Sequence, residues 1–149
     1  MQKITTFLWF NDKAEEAMNF YISIFNDSKI IGVSRNGDSV ISATFQLEGQ
    51  QFMALNGGPH YSFTPAISLF VNCETQQEVD ELWAKLSEGG AAGRCGWLTD
   101  QYGLSWQIIP QALGRLLQDQ DPERSARVMQ AMLQMDKIDI ALLQQAYNG

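Results

Sequence analysis

Imidazole and thiol side chains, which commonly serve in acid–base, nucleophilic and metal chemistry, are few in this sequence: it has one histidine and two cysteines. His60 is the single histidine, and imidazole is the side chain best suited to act as a general acid or base at neutral pH, the alternative being an exposed loop residue. Sites that need two imidazoles, such as HExxH zinc centres and two-histidine iron centres, are therefore excluded. Cys73 and Cys95 lack CxxC spacing, which predicts two reduced thiols and neither a disulfide framework nor a zinc site.

Composition indicates one folded domain. The chain has 149 residues, 45% hydrophobic and 18% charged, which is enough for a core without disulfides or metals. Ten Lys and Arg against 17 Asp and Glu give a net charge of −7, so nucleic acid and anionic membrane surfaces are not expected partners. No apolar run approaches the roughly 20 residues that span a bilayer, and residues 1–10 lack the pattern of a secretion signal. We therefore expect a cytoplasmic protein.

Hydrophobic periodicity predicts the element order βαβββ for the first part of the chain. A buried strand is predicted over Thr5–Phe10 and an amphipathic helix over Lys13–Phe25, with Asn11 or Asp12 as the helix cap. Two hairpin turns, Asn36-Gly37-Asp38 and Glu48-Gly49-Gln50, separate the three strands that follow. These strands are predicted over Lys29–Ser34, Ser39–Leu47 and Gln51–Leu55.

The pattern begins again after a linker at 56–65 that is rich in Gly and Pro. This second part is predicted to contain the strand Pro65–Val71, the helix Gln76–Leu86, and the strands Gly93–Leu98 and Leu104–Ile109. Phe10-Asn11 and Val71-Asn72 occupy matching positions, which indicates a duplicated fold. We predict a single domain over 1–149, with internal repeats at 4–56 and 65–110 and a helical extension at 111–149.

The extension is predicted to form two helices. Asp121-Pro122 is a typical helix start, with Asp as the cap and Pro at the first helical position, and leads into a helix over Arg124–Met135. A second helix is predicted over Ile138–Tyr147. The methionine-rich face of the first helix is predicted to be core or a dimer contact.

Segments along nearly the whole chain carry a resemblance to a known family. They read ITTFLWFNDKAEEAMNFY, FMALNGGP, TPAISLFV and CGWLTDQYGLSWQIIP. In this order, from about Ile4 to Ala146, they resemble the PhnB-like branch of the vicinal oxygen chelate (glyoxalase/bleomycin resistance/dioxygenase) superfamily, a branch often labelled 3-demethylubiquinone-9 3-methyltransferase. The resemblance implies an α+β fold in which two paired βαβββ modules surround a shared cavity, followed here by C-terminal helices. It also implies a homodimer.

The resemblance also bears on metal and cofactor chemistry. In glyoxalase-like members, four inward-facing strand positions supply histidine or carboxylate ligands to a divalent metal. The strand patterns place Thr5, Met53 or a neighbour, Ala66 and Gln107 at these positions, and only Gln107 offers a plausible oxygen ligand. We therefore expect no metal and no cofactor. The methyltransferase label finds no support either, because no glycine-rich loop joins a strand to a helix.

Regular alternation along the inward strands would give a mainly apolar and aromatic face suited to a flat ligand. The predicted ligand-binding residues are Thr5, Phe7, Trp9, Met53, Ser68, Phe70, Ser105 and Gln107. The aromatic side chains could instead fill the space as core. An inward Gln107 needs a partner, a ligand or a trapped water, since an unpaired buried polar group costs about 1–3 kcal/mol. Cys95 and Trp97 could face the same site, although a buried, inert thiol is the preferred interpretation of Cys95. Asp100 and Tyr102 are expected in the turn before the last strand.

Three hypotheses of function follow, in order of preference. The first is a protein that binds a small, largely apolar or aromatic molecule without a metal. The second is an enzyme that uses a divalent metal or cofactor, either a lyase, isomerase or dioxygenase or the methyltransferase of the family label. The third is a dimeric interaction protein with a vestigial pocket.

Overall fold

The computed structural model describes residues 2–149 and divides them into two compact units, the first ending at Phe63 and the second beginning at Thr64. Each unit contains a four-stranded mixed sheet and follows the order βαβββ. The second unit continues into three further helices. These elements confirm the predicted α+β fold of two βαβββ modules with C-terminal helices.

The first unit holds its strands in the order β1-β4-β3-β2, with β1 parallel to β4 and the other pairs antiparallel. Its elements are β1 (Thr6–Phe10), α1 (Ala14–Ile24), β2 (Lys29–Asn36), β3 (Ser39–Leu47) and β4 (Gln50–Asn56). Helix α1 packs on one face of this sheet and buries Met18 and Tyr21 completely. On that face Phe45 and Phe52 lie opposite each other and stack with ring centroids 5.7 Å apart.

The start of helix α1 is capped by a distant residue. The prediction that Asn11 or Asp12 caps this helix is wrong, because Lys13 occupies the cap position and its side chain makes no capping hydrogen bond. The side chain of Asn56, at the end of β4, accepts a hydrogen bond from the backbone N–H of Ala14 (2.8 Å), and its Nδ2 donates to a carbonyl of β3. One amide therefore satisfies the helix start and joins it to the sheet.

Strand β2 forms one edge of this sheet and pairs only with β3. Its pairing is irregular at two places, between Ile30 and Gly32 and between Ser34 and Arg35, as in a β-bulge. Arg35 forms an ion pair with Glu15 of α1, although both side chains remain partly exposed. Almost the whole strand is exposed.

The second unit repeats this arrangement with the strand order β5-β8-β7-β6 and adds the C-terminal helices. Its elements are β5 (Ser68–Cys73), α2 (Gln76–Ser87), β6 (Ala91–Ala92), β7 (Trp97–Thr99), β8 (Ser105–Pro110), α3 (Gln111–Leu117), α4 (Pro122–Met132) and α5 (Ile140–Asn148). Thr75 caps α2 by accepting a hydrogen bond from Glu78 N. Helix α2 packs against β5, β7 and β8, where Trp106 and Ile108 are buried.

Strand β5 begins later than predicted. Residues 65–67 form a turn, so the prediction that Ala66 belongs to a strand is wrong. Pro65 has no backbone N–H to contribute to a ladder, and the N–H of Ala66 donates to the hydroxyl of Thr64 (3.3 Å). The local hydrogen bonding of Thr64 therefore competes with strand pairing at these positions.

The prediction of a strand over Gly93–Leu98 is wrong except at Trp97 and Leu98, which belong to β7, and the two-residue strand β6 lies before the predicted range. The backbone between β6 and β7 enters the left-handed region at Cys95 (φ 58°) and Gly96 (φ 87°), which an extended strand cannot accommodate. The N–H groups of these two residues donate to carbonyls of the C-terminal segment, Cys95 to Met135 (2.8 Å) and Gly96 to Asp136 (2.7 Å). Hydrogen bonds to the C-terminal segment therefore stabilise this turn.

The C-terminal helices include one, α3, that periodicity did not predict. Helix α4 begins as predicted, with Pro122 at its first position and the Asp121 side chain accepting from Glu123 N (3.0 Å). The predicted methionine-rich face is partly core: Met132 of α4 packs against a buried cluster, and Met135, beyond the end of α4, belongs to it. The buried cluster is Ile109, Leu113, Val128, Met135, Ile138 and Leu143. Met129 lies outside it and is exposed. Within residues 2–149, no helix has the length and apolar character needed to cross a membrane.

Candidate functional site

The side chains of strand β1 alternate between a buried face of the sheet and a more exposed one. Leu8 and Phe10 are buried on the face that carries α1, whereas Phe7 lies on the opposite face and is 50% exposed. Trp9 shares the face of Phe7 by alternation and is half-buried. Thr5 is half-buried and precedes the strand by one residue.

The indole of Trp9 is fixed by the linker that follows β4. Its Nε1 donates to the carbonyl of Gly58 (3.0 Å), and its ring meets the edge of Tyr61 with centroids 4.9 Å apart. A Cβ at Gly57 would lie 2.3 Å from the indole ring, so only glycine fits there. The linker therefore uses the polar group of Trp9, and a ligand would meet only the apolar parts of the indole.

The face of the first sheet around Phe7 includes residues that sequence reasoning missed. Phe7 and Thr44 both lie opposite Met53, while Trp9 and Ser42 both lie opposite Leu55. Residues opposite each other in a sheet project to the same face. This Phe7 face consists of Phe7, Trp9, Ser42, Thr44, Met53 and Leu55. The pairing of β3 with β4 across the predicted turn was the signal that places Ser42 and Thr44 there.

His60, the candidate acid or base, lies in the same linker. His60 is exposed. No hydrogen bond or ion pair of its imidazole is found in the described part of the chain, residues 2–149. The structure therefore supplies no group that would orient this imidazole for proton transfer.

The second unit places its predicted residues on one face of β5, β7 and β8. Phe70 and Trp97 lie opposite Gln107 on the two neighbouring strands, and Ser68 lies opposite Ser105. We call Ser68, Phe70, Trp97, Ser105 and Gln107 the Gln107 face. Phe70 is 52% exposed, Gln107 is half-buried, and Ser105 is only 2% exposed. The aromatic and amide side chains of this face are therefore more accessible to a ligand than Ser105.

Gln107 has a protein partner. Its Nε2 donates to the hydroxyl of Ser68 at 3.0 Å. Sequence reasoning offered a ligand or a water molecule for this role and did not foresee the neighbouring strand. The amide nitrogen retains a second hydrogen and the amide oxygen remains an acceptor.

The two sheets can be compared position by position. Trp9 lies opposite Leu55 in the parallel pair of the first unit, and Phe70 lies opposite Gln107 in the parallel pair of the second. Since Trp9 and Phe70 match in the repeat, Leu55 is the counterpart of Gln107. The sequence pattern offered Met53 or a neighbour for one of the four inward positions. The repeat places Leu55, two residues after Met53, at this position.

Asp100 lies in the predicted turn, where it is almost fully buried. Its Oδ1 accepts from the backbone N–H groups of Tyr102 (2.8 Å) and Leu104 (3.0 Å), and its Oδ2 accepts from the indole Nε1 of Trp106 (2.9 Å). These bonds give the carboxylate a structural role in holding the turn against β8.

The two thiols are free and differ in environment. Cys73 is fully buried, and this burial, together with the nearby carboxylate of Glu78, raises the pKa of its thiol to about 12. Such a thiol remains protonated at neutral pH and is a poor nucleophile. Cys95 is half-buried in the turn between β6 and β7.

Comparison with known proteins decides the family. The model of the 3-demethylubiquinone-9 3-methyltransferase family matches residues 2–109. The chain belongs to this family. The PhnB protein of Bacillus cereus, which carries the same description, is 45% identical with a TM-score of 0.70, over 73% of this chain and 99% of that chain.

More distant structures share the fold of this family member. Protein PA1353 from Pseudomonas aeruginosa is 20% identical with a TM-score of 0.64, over 74% of this chain and 98% of that chain. The fosfomycin resistance protein FosX from Listeria monocytogenes, solved with Mn(II) and sulfate, is 18% identical with a TM-score of 0.54, over 71% and 90%. No curated protein matches the chain.

The residues of this family member do not fit a divalent metal at the superfamily's positions. Those positions hold Thr5, Leu55, Ala66 and Gln107, a set without carboxylate or imidazole. Across residues 2–149, no three His, Cys, Asp or Glu side chains are grouped so that they could hold an ion.

Proposed function

We propose that this protein binds a small, flat, largely aromatic molecule on the Gln107 face, without a metal. The observation that carries the proposal is the row Phe70–Gln107–Trp97, in which two aromatic side chains flank one amide on adjacent strands. Adjacent strands lie about 4.8 Å apart, so the two aromatic residues are separated by roughly 10 Å. An aromatic ring of a ligand fits between them, with its edge toward the amide.

The amide sets the polar chemistry of the ligand. Since one Nε2 hydrogen is used by Ser68, the other hydrogen and the Oε1 of Gln107 are left for a ligand. A hydroxyl group on an aromatic ring can donate to Oε1 and accept from Nε2. The proposed ligand class is therefore a phenol or a related aromatic molecule with one small polar group.

The methyltransferase named in the family description is not part of this proposal. The connections from β1 to α1 and from β5 to α2 contain no glycine. The first backbone N–H groups of both helices bond to protein side chains, Ala14 N to Asn56 and Glu78 N to Thr75. These residues do not fit the glycine-rich loop that commonly holds a methyl donor.

Titration with 2-naphthol, followed by the quenching of tryptophan fluorescence, tests the proposal. Gln107→Ala is expected to weaken binding about tenfold, since it removes two hydrogen bonds of about 0.5–1.5 kcal/mol each. Gln77→Ala is the matched control, because Gln77 is exposed on α2, which covers the other face of the sheet. Trp97→Phe is expected to remove most of the quenching.

Two results contradict the proposal. One is a folded wild-type protein that binds neither 2-naphthol nor phenol at millimolar concentration. The other is an affinity that Gln107→Ala and Gln77→Ala leave equally unchanged, which would remove Gln107 from the site. Thermal unfolding of each variant verifies that its fold is intact.

The proposal includes a cytoplasmic homodimer as the working form. Exposed apolar side chains on the C-terminal helices, Met129 and Leu142 among them, support a self-association surface. Light scattering at micromolar concentration tests the dimer, and a monomeric mass would contradict it.

A further inference from the structure

The Gln107 face is closed at the end where Ile109 lies. Ile109 lies two residues beyond Gln107 on β8 and projects to the same face, about 7 Å farther along the strand. Whereas Gln107 is half-buried, Ile109 is only 9% exposed. Something other than the sheet therefore covers this end of the face.

The cover is the C-terminal segment. Ile109 belongs to the buried cluster that also contains Leu113 of α3, and Ile138, which precedes α5. The turn at Gly96 touches the same side chains: a Cβ there would lie 2.6 Å from Ile109 Cδ1 and 3.2 Å from Ile138 Cγ1. Ile109 thus lies between the turn and the C-terminal segment.

This cover is anchored on both sides. Cys95 and Gly96 donate their backbone N–H groups to the carbonyls of residues 135 and 136, as described above. On the other side, the Gln76 side chain donates to Ile138 O (3.0 Å) and accepts from Ile140 N (2.7 Å). Hydrogen bonds at both ends hold the segment 135–140 in place over Ile109.

The segment 135–140 lies outside the part of the chain that defines the family. The family match ends at residue 109, where the C-terminal cluster begins. The Bacillus cereus protein is matched over 99% of its length but leaves about a quarter of this chain without a counterpart. The helices that bury Ile109 therefore are an addition to the common fold.

We infer that the C-terminal helices set the size of the ligand, with Ile109, backed by Ile138, as the end wall of the Gln107 face. The inference rests on the proposed function and adds a limit to it. A ligand held by Gln107 extends no more than about 7 Å toward Ile109. Each fused ring that is added in this direction lengthens the ligand, so a single ring fits this space best and three fused rings fit it least.

Binding of phenol, 2-naphthol and 9-phenanthrol, followed by the fluorescence of each probe, tests the inference. Ile109→Ala opens the wall and is expected to raise the affinity for 9-phenanthrol about fivefold relative to phenol. Ile108→Ala is the matched control, because Ile108 is the same residue type, adjacent on β8, fully buried on the opposite face. Ile109→Val and Ile108→Val repeat the comparison with a smaller change if either alanine variant fails to fold.

The outcomes separate this inference from the proposed function. If the wild type binds phenol or 2-naphthol and neither Ile109 variant changes the preference for ring number, the size limit is wrong and the proposed function stands. The inference is also wrong if the Ile108 and Ile109 variants shift the preference equally. Failure of the folded wild type to bind any of the three probes overturns both.

Discussion

Asp100→Asn is expected to destabilise the second unit because it places a donor where the structure needs an acceptor. The Asp100 carboxylate is 2% exposed and receives two backbone N–H groups at Oδ1 and the indole N–H of Trp106 at Oδ2. An asparagine can keep the two bonds to Oδ1. Its Nδ2 then faces the indole N–H, so that two donors meet and neither is satisfied.

The expected cost follows from the number of groups left unpaired. Loss of one buried hydrogen bond with its donor unsatisfied costs about 1–3 kcal/mol, which is the prediction for Asp100→Asn. Asp100→Ala leaves all three donors without their acceptor and is expected to cost about 3 kcal/mol or more. Trp106→Phe removes the indole N–H and provides the second arm of a double-mutant cycle.

Urea unfolding followed by far-ultraviolet circular dichroism measures these free energies without relying on tryptophan fluorescence. In the double variant Asp100→Asn with Trp106→Phe, the clash of donors is absent. Its destabilisation is therefore expected to fall short of the sum of the single variants by about 1–3 kcal/mol. Additive free energies, or an Asp100→Asn variant within about 0.5 kcal/mol of the wild type, would refute the reasoning.

Three further predictions concern the Cys73 thiol, the crowded Gly96, and the hydrogen bonds from Gln76 to the C-terminal segment. Because the pKa of the Cys73 thiol is raised from about 9 to about 12, the unfolded chain loses this proton first, and stability should fall as pH rises above 9. Urea unfolding between pH 7 and 10.5 should show a shallower fall for Cys73→Ala. Gly96→Ala should cost at least about 1 kcal/mol more than Gly103→Ala in the same assay, since both glycines have positive φ but only Gly96 is crowded. Gln76→Ala should make residues 111–149 more sensitive to limited proteolysis, because both bonds to the backbone around Ile138 are lost.

Each of these predictions has an outcome that contradicts it. Identical pH profiles for the wild type and Cys73→Ala would show that this thiol does not titrate differently on folding. Equal costs at Gly96 and Gly103 would mean that Ile109 yields freely to an added methyl group. Unchanged proteolysis of Gln76→Ala, with Gln77→Ala as the control, would show that the cluster alone holds the helices.

The βαβββ order was predictable because long elements leave strong periodic patterns. Helix α1, predicted over Lys13–Phe25, spans Ala14–Ile24, and β3 has the bounds predicted for it. Elements of two or three residues leave no pattern, which is why β6 was not predicted and the strand containing β7 was placed too early. The cap of α1 was missed for a different reason: Asn56 reaches it from a strand more than forty residues away.

The sequence predicts which side chains of the candidate site share a face of the sheet. It does not predict their hydrogen-bond partners. Alternation placed Phe70 and Gln107 on one side of the second sheet, and the register agrees. The hydrogen bond from Gln107 to Ser68 depends on side-chain rotamers, which spacing does not specify. The cover over Ile109 comes from a segment distant in sequence, and periodicity carries no information about where such a segment packs.

The irregular pairing of β2 also affects how this protein avoids aggregation. A long exposed edge strand offers free backbone groups to the edge of another molecule, and Ile30 and Ile31 add apolar surface to this one. Two bulges twist the edge away from a flat template, and Lys29 and Arg35 place positive charge along it. At the corresponding edge of the second sheet, β6 has only two residues. Both edges thus resist the growth of intermolecular sheet, one by irregularity and charge, the other by its shortness.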